Sequence, residues 1–220
     1  MVLTPATQKP GSRAKPSLQE RKRRATRDAL LDALGEVVRE QGINAFSVQD
    51  VANRAGLSHR TVYRVFESRE ALLEGARAWV AELVAEQGIP EGTNLDDLAP
   101  HIESLFRVLD RQPDLVSAAV QLDIGKAVRP EGSRRRDDLL RGLIEAEFPS
   151  ITQQERDAGY AALRLLYSAQ TWFLLRSQQG LSGAQSGSVV ASAIRVLIED
   201  LRNRESQVKS GKAATSQRAS

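Results

Sequence analysis

The chain has 220 residues, no cysteine, two histidines and a formal net charge of +3 from 31 basic and 28 acidic residues. Without cysteine there are no disulfides and no thiolate chemistry. His59 and His101 stand far apart in sequence and away from clustered carboxylates, so no metal-ligand set or nucleophile–base pair is legible. The length accommodates one or two domains.

Residues 1–20 carry Pro5, Pro10, Gly11 and Pro16 with almost no aliphatic content, and are expected to be a disordered arm. The arm is basic. Lys9, Arg13, Lys15, Arg21, Lys22, Arg23, Arg24 and Arg27 crowd the approach to the first helix. Such a run suits phosphate binding or entry into a minor groove, and suits equally a solubilising tail with no defined contact. Thr26 is placed to cap a first helix carrying Leu30, Leu31, Leu34, Val37 and Val38, which stops at Gly42.

The most informative stretch follows, from Ser47 to Leu73. Ser47 is an N-cap with Asp50 three residues on, a weaker form of the capping box. Val48, Val51, Ala52 and Ala55 recur at helical spacing, and Gly56 sits where a left-handed residue closes a helix. Ser58 caps the next short helix, whose faces separate. Val62 and Val65 lie on one side with Phe66 at the margin, and His59, Arg60, Tyr63 and Arg64 lie on the other. A short helix that buries aliphatics and presents two arginines, a histidine and a tyrosine predicts a recognition helix for the major groove of DNA. An ordinary helical hairpin with a solvated basic face is the plainer reading. The coincidence of both caps, the glycine turn and the divided faces argues against it.

These residues resemble the DNA-binding domain of the tetracycline-repressor (TetR) family of bacterial one-component regulators. The resemblance runs through Gly42, Phe46, Ser47, Val48, Val51, Ala52, Ala55, Gly56, Leu57, Ser58, Thr61, Val62, Tyr63, Phe66, Ser68, Arg69, Glu70 and Leu72, about a quarter of the chain. Val65 departs from the tyrosine or histidine common there. The family likeness implies an all-α protein: an N-terminal three-helix DNA-binding domain and a larger helical body for ligand binding and dimerisation. The expected division is 21–87 for the helix-turn-helix domain with its connecting helix, 88–204 for the body, and 205–220 for a disordered polar tail.

Beyond the motif, Ser68 caps a fourth helix with Leu72, Leu73, Ala76, Trp79, Val80, Leu83 and Val84, closed by Gly88, Pro90 and Gly92. The body continues as helical stretches over 95–111, 114–128 and 134–148, broken at Pro113, Pro130 and Pro149. A helix over 157–179 is apolar nearly all round, with Leu163, Leu166, Tyr167 and Leu174 on one face and Leu165, Ala169, Trp172 and Phe173 over the rest. The following helix holds Val189, Val190, Ala193, Ile194, Val196, Leu197, Ile198 and Leu201. Such surfaces exceed what one core hides, which predicts a two-fold homodimer; a single well-buried helix pair is the alternative. The resemblance implies the same dimer, through a four-helix bundle of these last two helices.

No zinc-protease motif, nucleophile elbow, Walker loop or dinucleotide fingerprint occurs, and Gly180 with Gly183 reads as a helix-ending loop. Asp96–Asp97 and Asp137–Asp138 sit at or near helix starts, where they suit the dipole. No enzyme, cofactor or metal is expected. No signal peptide is legible, and the most apolar stretch, 160–175, contains Arg164 and Gln170. A cytoplasmic protein without a membrane span is therefore expected.

Roles follow from position. Arg60, His59 and Arg64 are the expected base readers, with Ser58 and Thr61 for phosphate or a thymine methyl. Ser47, Gln49 and Thr26 lie at or near expected helix starts that favour phosphate. The resemblance implies a phosphate-binding Tyr63 and a basic backbone anchor in Arg69. It also implies a small-molecule effector that releases a repressor from its double-stranded operator. The candidate pocket residues are Leu105, Phe106, Leu109, Leu122, Tyr167 and Trp172, with His101 and Gln121 as polar contacts. A non-specific DNA-architectural protein and a ligand-independent activator are the alternatives.

Overall fold

The computed structural model describes residues 17–90, 92–123 and 131–218. Among these are ten α-helices, one 3-10 turn and no strand. Lys9, Arg13 and Lys15 of the expected arm, and the last part of the expected 114–128 helix, lie outside the described residues.

Helix α1 spans Leu18–Gln41 and starts eight residues before the expected Thr26 cap. The reason is a complete capping box. The Ser17 hydroxyl accepts the Glu20 N–H, and the Glu20 carboxylate accepts the Ser17 N–H. Thr26 is not at a helix start, so its expected phosphate role there does not stand. Its hydroxyl donates to the Lys22 carbonyl one turn back, inside the helix. Residues 18–20 are likewise helix rather than disordered arm.

Helices α2 (Val48–Arg54), α3 (His59–Val65) and α4 (Arg69–Glu86) complete the head. Leu30, Leu31 and Leu34 of α1, Val51 and Ala52 of α2, Val62 of α3 and Leu72 and Ala76 of α4 close one apolar cluster without solvent contact. Phe66 is central rather than marginal. Its ring seats on Gly75, where an added Cβ would stand 2.4 Å from the ring edge.

The 3-10 turn Leu95–Asp97, capped by Asn94, feeds α5 (Leu98–Leu109), whose Pro100 falls in the first turn where a missing N–H costs nothing. Helices α6 (Pro113–Asp123), α7 (Glu131–Glu147), α8 (Gln153–Leu166), α9 (Ala169–Gln179) and α10 (Gly183–Arg218) form the rest of the body. The expected 157–179 helix is thus two helices. Ser168 breaks it: its hydroxyl accepts the Thr171 N–H and donates to the Leu165 carbonyl, so side chains replace the ladder bonds. The break lets Tyr167 and Trp172 enter the same core, where both are buried. Helix α10 crosses α5 at backbone contact: a Cβ on Gly183 would lie 2.2 Å from the Phe106 carbonyl oxygen.

Two helices belong to both cores. In α4, Leu72 and Ala76 face the head and Val80 faces the body; in α6, Leu115 and Ala118 face the head and Val116 and Ala119 the body. The two apolar clusters therefore share α4 and α6. No single described helix is long and apolar enough to cross a membrane.

The expected disordered tail from residue 205 is also corrected, since α10 continues to Arg218. Leu201 and Glu205 are buried and Val208 is half-buried, an i, i+4, i+7 row that docks the helix. Burial alone would raise the Glu205 carboxyl. Hydrogen bonds from Ser150, Lys209 and the Ile151 N–H outweigh it and bring the carboxyl down from 4.5 to about 2. A depressed carboxyl contributes stability that is full above its unfolded pKa and lost as pH falls through the folded one. Glu205→Gln should therefore lower the melting temperature by a constant amount above about pH 5, and the gap to the parent should close towards pH 2. A gap unchanged at pH 2 would show that the carboxylate charge is not what holds the 149–151 turn.

Candidate nucleic-acid interface

The site is built from three caps. At Ser47 the capping box is complete: its hydroxyl accepts the Asp50 N–H at 3.1 Å and its N–H donates to the Asp50 carboxylate at 3.0 Å. The Ser47 hydroxyl also donates to the Asp50 carboxylate at 2.6 Å, and this bond, with the one from the Ser47 N–H, holds the Asp50 carboxyl below its ordinary value. Ser58 caps α3 by accepting the Thr61 N–H, and the two hydroxyls lie 2.8 Å apart. Ser68 caps α4 through the Ala71 N–H. Between α2 and α3, Gly56 adopts φ +66°, the left-handed turn residue the sequence calls for. A fork from Arg54 to Glu36 and Glu40 ties α2 to α1, with Arg54 Nη1 at 2.8 Å from Glu36 and 3.0 Å from Glu40.

These constraints leave α3 with two faces. Val62 is fully buried, whereas His59, Arg60, Tyr63 and Arg64 are exposed. The His59 and Tyr63 rings meet edge to face at 4.7 Å. Arg60 and Arg64 make no side-chain ion pair or hydrogen bond among the described residues. An exposed tyrosine and two unpaired guanidiniums on one helical face leave planar donors directed at solvent, the geometry a base edge or phosphate accepts. Ser47 and Gln49 lie at the start of α2, exposed, with Gln49 Nε2 donating to Asn53 at 2.8 Å.

Arg69 is placed differently from its neighbours. It donates to the Ile43 carbonyl at 2.8 Å and its guanidinium sits 4.2 Å from the Phe46 ring centroid, half-buried. It clamps the α1–α2 loop to the start of α4. Sequence reasoning also missed the cations of residues 21–27 as a helical surface; the Ser17-Leu-Gln-Glu20 signature carried that information.

The family model for bacterial regulatory proteins of the tetR family matches residues 30–76, which are this head. Those residues are thus a tetR-family domain of the kind carried by bacterial regulatory proteins. Over 133 residues it is 26% identical to the uncharacterized HTH-type transcriptional regulator YdgC of Bacillus subtilis, covering 56% of this chain and 65% of that one. It is 33% identical over 67 residues to the HTH-type transcriptional regulator AlkX of Mycobacterium tuberculosis, covering 30% and 32%. The chain thus spans less than two-thirds of the length of both curated relatives. The fold is similar to a TetR-family transcription regulator from Marinobacter aquaeolei, with a TM-score of 0.58, 22% identity, and coverage of 80% of this chain and 97% of that one. A tetR-family regulator from Streptomyces coelicolor aligns with a TM-score of 0.50 and 17% identity over 85% and 86%.

In the body the expected effector residues fall into two groups. Leu105, Phe106, Leu109, Tyr167 and Trp172 are buried in the body core. His101, Gln121 and Leu122 are half-buried; His101 Nδ1 pairs with the Tyr167 hydroxyl, with the rings stacked at 5.7 Å. Gln121 is satisfied by its own helix, donating to the Ser117 carbonyl. Trp172 Nε1, Arg176 and the Gly183 N–H all donate to Asp110, which fixes α9 and α10 on α5.

If Arg69 acts as a clamp, Arg69→Ala should cost about 1–2 kcal/mol of stability and weaken all duplexes in the same proportion. Arg69→Lys should not restore either, because an ammonium lacks the planar stack. Full rescue of DNA binding by lysine would instead assign Arg69 a point-charge contact to phosphate.

Proposed function

We propose that this chain acts as a two-fold dimer that reads a (pseudo)palindromic operator and represses transcription until a small molecule bound in the body releases it. The observation that carries the reading is the divided face of α3. His59, Arg60, Tyr63 and Arg64 are presented to solvent on a helix whose opposite side is locked by Val62. In this reading Arg60, His59 and Arg64 meet base edges. Ser58, Thr61, Tyr63, Ser47 and Gln49 meet phosphate and set register.

The dimer is supported by what the body leaves uncovered. Of the large apolar side chains that remain exposed, Leu165, Leu174, Val189 and Val196 all lie on α8, α9 and α10. An open face of α10 formed by Val189, Ala193, Val196 and Leu197, edged by Ser192 and Asp200, continues that surface. A self-complementary apolar patch is best covered by a second copy.

Release by a ligand follows from geometry. A dimer reaches adjacent major grooves only with its recognition helices about 34–36 Å apart. A molecule that favours another spacing weakens DNA binding, and DNA weakens that molecule equally. Phe106, Tyr167 and Trp172 share the body core, with His101 paired to the Tyr167 hydroxyl, and these are the side chains a ligand would engage in this reading.

Selection of bound fragments from a random DNA pool should return two inverted half-sites; a single unsymmetrical site would sink the dimeric reading. On the selected duplex, Arg60→Ala should cost about 1–3 kcal/mol and relax preference at one base position. Tyr63→Phe should weaken selected and random duplexes alike. An equal loss on both duplexes for Arg60→Ala would remove it from base reading.

Calorimetric titration of candidate metabolites should give weaker binding to the operator complex than to the free protein. Equal affinities in the two states would end the release mechanism.

A further inference from the structure

The first part of α1 has no core to belong to. Burial on this helix begins at Leu30, and residues 18–25 are exposed on every side, including Leu18 at 60%. Residues 18–29 nevertheless continue the helix without a break, about 18 Å at 1.5 Å per residue. They hold five cations, Arg21, Lys22, Arg23, Arg24 and Arg27, against the two acids Glu20 and Asp28. Glu20 is occupied by the Ser17 N–H, and Asp28 reaches only Arg24, at 4.0 Å. Arg21, Lys22, Arg23 and Arg27 make no ion pair among the described residues.

Helical spacing sorts these cations. Arg23, Arg24 and Arg27 precede Leu30, Leu31 and Leu34 by three, four or seven residues, so they lie on the same side of the rod. That side faces a cluster to which α3 contributes Val62, alongside residues of α2, α4 and α6. Arg21 and Lys22 fall away from it. The body, by contrast, meets α1 at its other end, through Gly35 and Arg39. The three arginines therefore continue, past Leu30, the side of α1 that packs into the head cluster.

From this placement we infer that Arg23, Arg24 and Arg27 form a second DNA contact, a rigid helical arm that grips the phosphate backbone beside the groove occupied by α3. It rests on the DNA-binding reading but needs neither operator selectivity nor a ligand. An α-helix with side chains is about 10–12 Å across, and the minor groove is about 6 Å wide. These residues cannot thread that groove as an extended arm would; they lie along its edge. Being phosphate contacts, they add affinity without sequence preference.

The test uses the full chain with Arg23→Gln/Arg24→Gln/Arg27→Gln, and Arg21→Gln/Lys22→Gln as the control on the other side of the same helix. Glutamine keeps helix propensity, and circular dichroism confirms that both variants fold. Binding to a fixed random-sequence duplex and to the selected duplex is measured from 0.05 to 0.3 M salt. For the triple variant, the slope of log K against log salt should become shallower by about 0.9 for each phosphate that is no longer neutralised. Affinity should fall on the order of tenfold or more, by the same factor on both duplexes. The control should lose markedly less per charge removed. An unchanged slope, a loss confined to the selected duplex, or an equal loss per charge in the control would each overturn the arm. A parent that prefers no duplex, together with a shallower slope for the triple variant, would keep the arm and remove the operator reading.

Discussion

Everything in this molecule hangs on the place where α1 and α6 touch without side chains between them. A Cβ on Gly35 would sit 2.6 Å from the Leu115 nitrogen, closer than such atoms approach, so the two backbones are in direct contact. An ion pair flanks that contact, with Arg39 approaching Asp114 at 3.5 Å. Burial raises the nearby Asp32 carboxyl, with the charges of Asp28 and Glu36 adding to it and the amide of Gln112 opposing it. A packed backbone contact of this kind has no soft direction. Displacing α6 displaces α1, and with it the floor on which Val62 and the recognition helix rest.

The head divides affinity from reading by burial. The groups that fix the frame are paired internally: Ser47 with Asp50, Arg54 with Glu36 and Glu40, and Arg69 with Ile43 and Phe46. The guanidiniums left for a partner, Arg60 and Arg64, are exposed, planar and unpaired among the described residues. Because the frame is satisfied without DNA, little ordering remains for the moment of binding, and preorganisation of that sort preserves affinity that mobile side chains would lose.

Much of this is readable from residues alone. The three serine caps, the Gly56 turn and the apolar spacing of Val48, Val51 and Val62 are local signals, and local chemistry decides the outcome there. The misreadings share a different cause. Thr26 reads as a cap because the apolar period begins at Leu30, yet a capping box at Ser17 propagates helix through residues that bury nothing. The 157–179 stretch looks continuous because its composition is uniform; the hydroxyls of Ser168 and Thr171 compete with the backbone and break it. The tail from 205 looks polar, and its docking depends on a carboxylate meeting N–H groups more than fifty residues away in sequence. Pairing of that range leaves no trace in a window of neighbouring residues. The same holds for Arg69, whose partners Ile43 and Phe46 lie in another element.

Placed end to end, the functions assigned to α1 occupy one rod of 24 residues, about 36 Å long. Its first turns carry the cations, its middle carries the head core, and its last third carries Gly35 and Arg39 against α6. Because α1 is continuous and has no proline or kinking element, a tilt imposed at Gly35 is carried to Arg23 with greater amplitude than to Val62, which lies nearer the pivot. In the proposed function, a ligand that shifts α6 would therefore disturb the phosphate grip before it disturbs base contacts. Loss of the sequence-blind term lowers the affinity of every complex, and base readout need not change for the operator to be vacated.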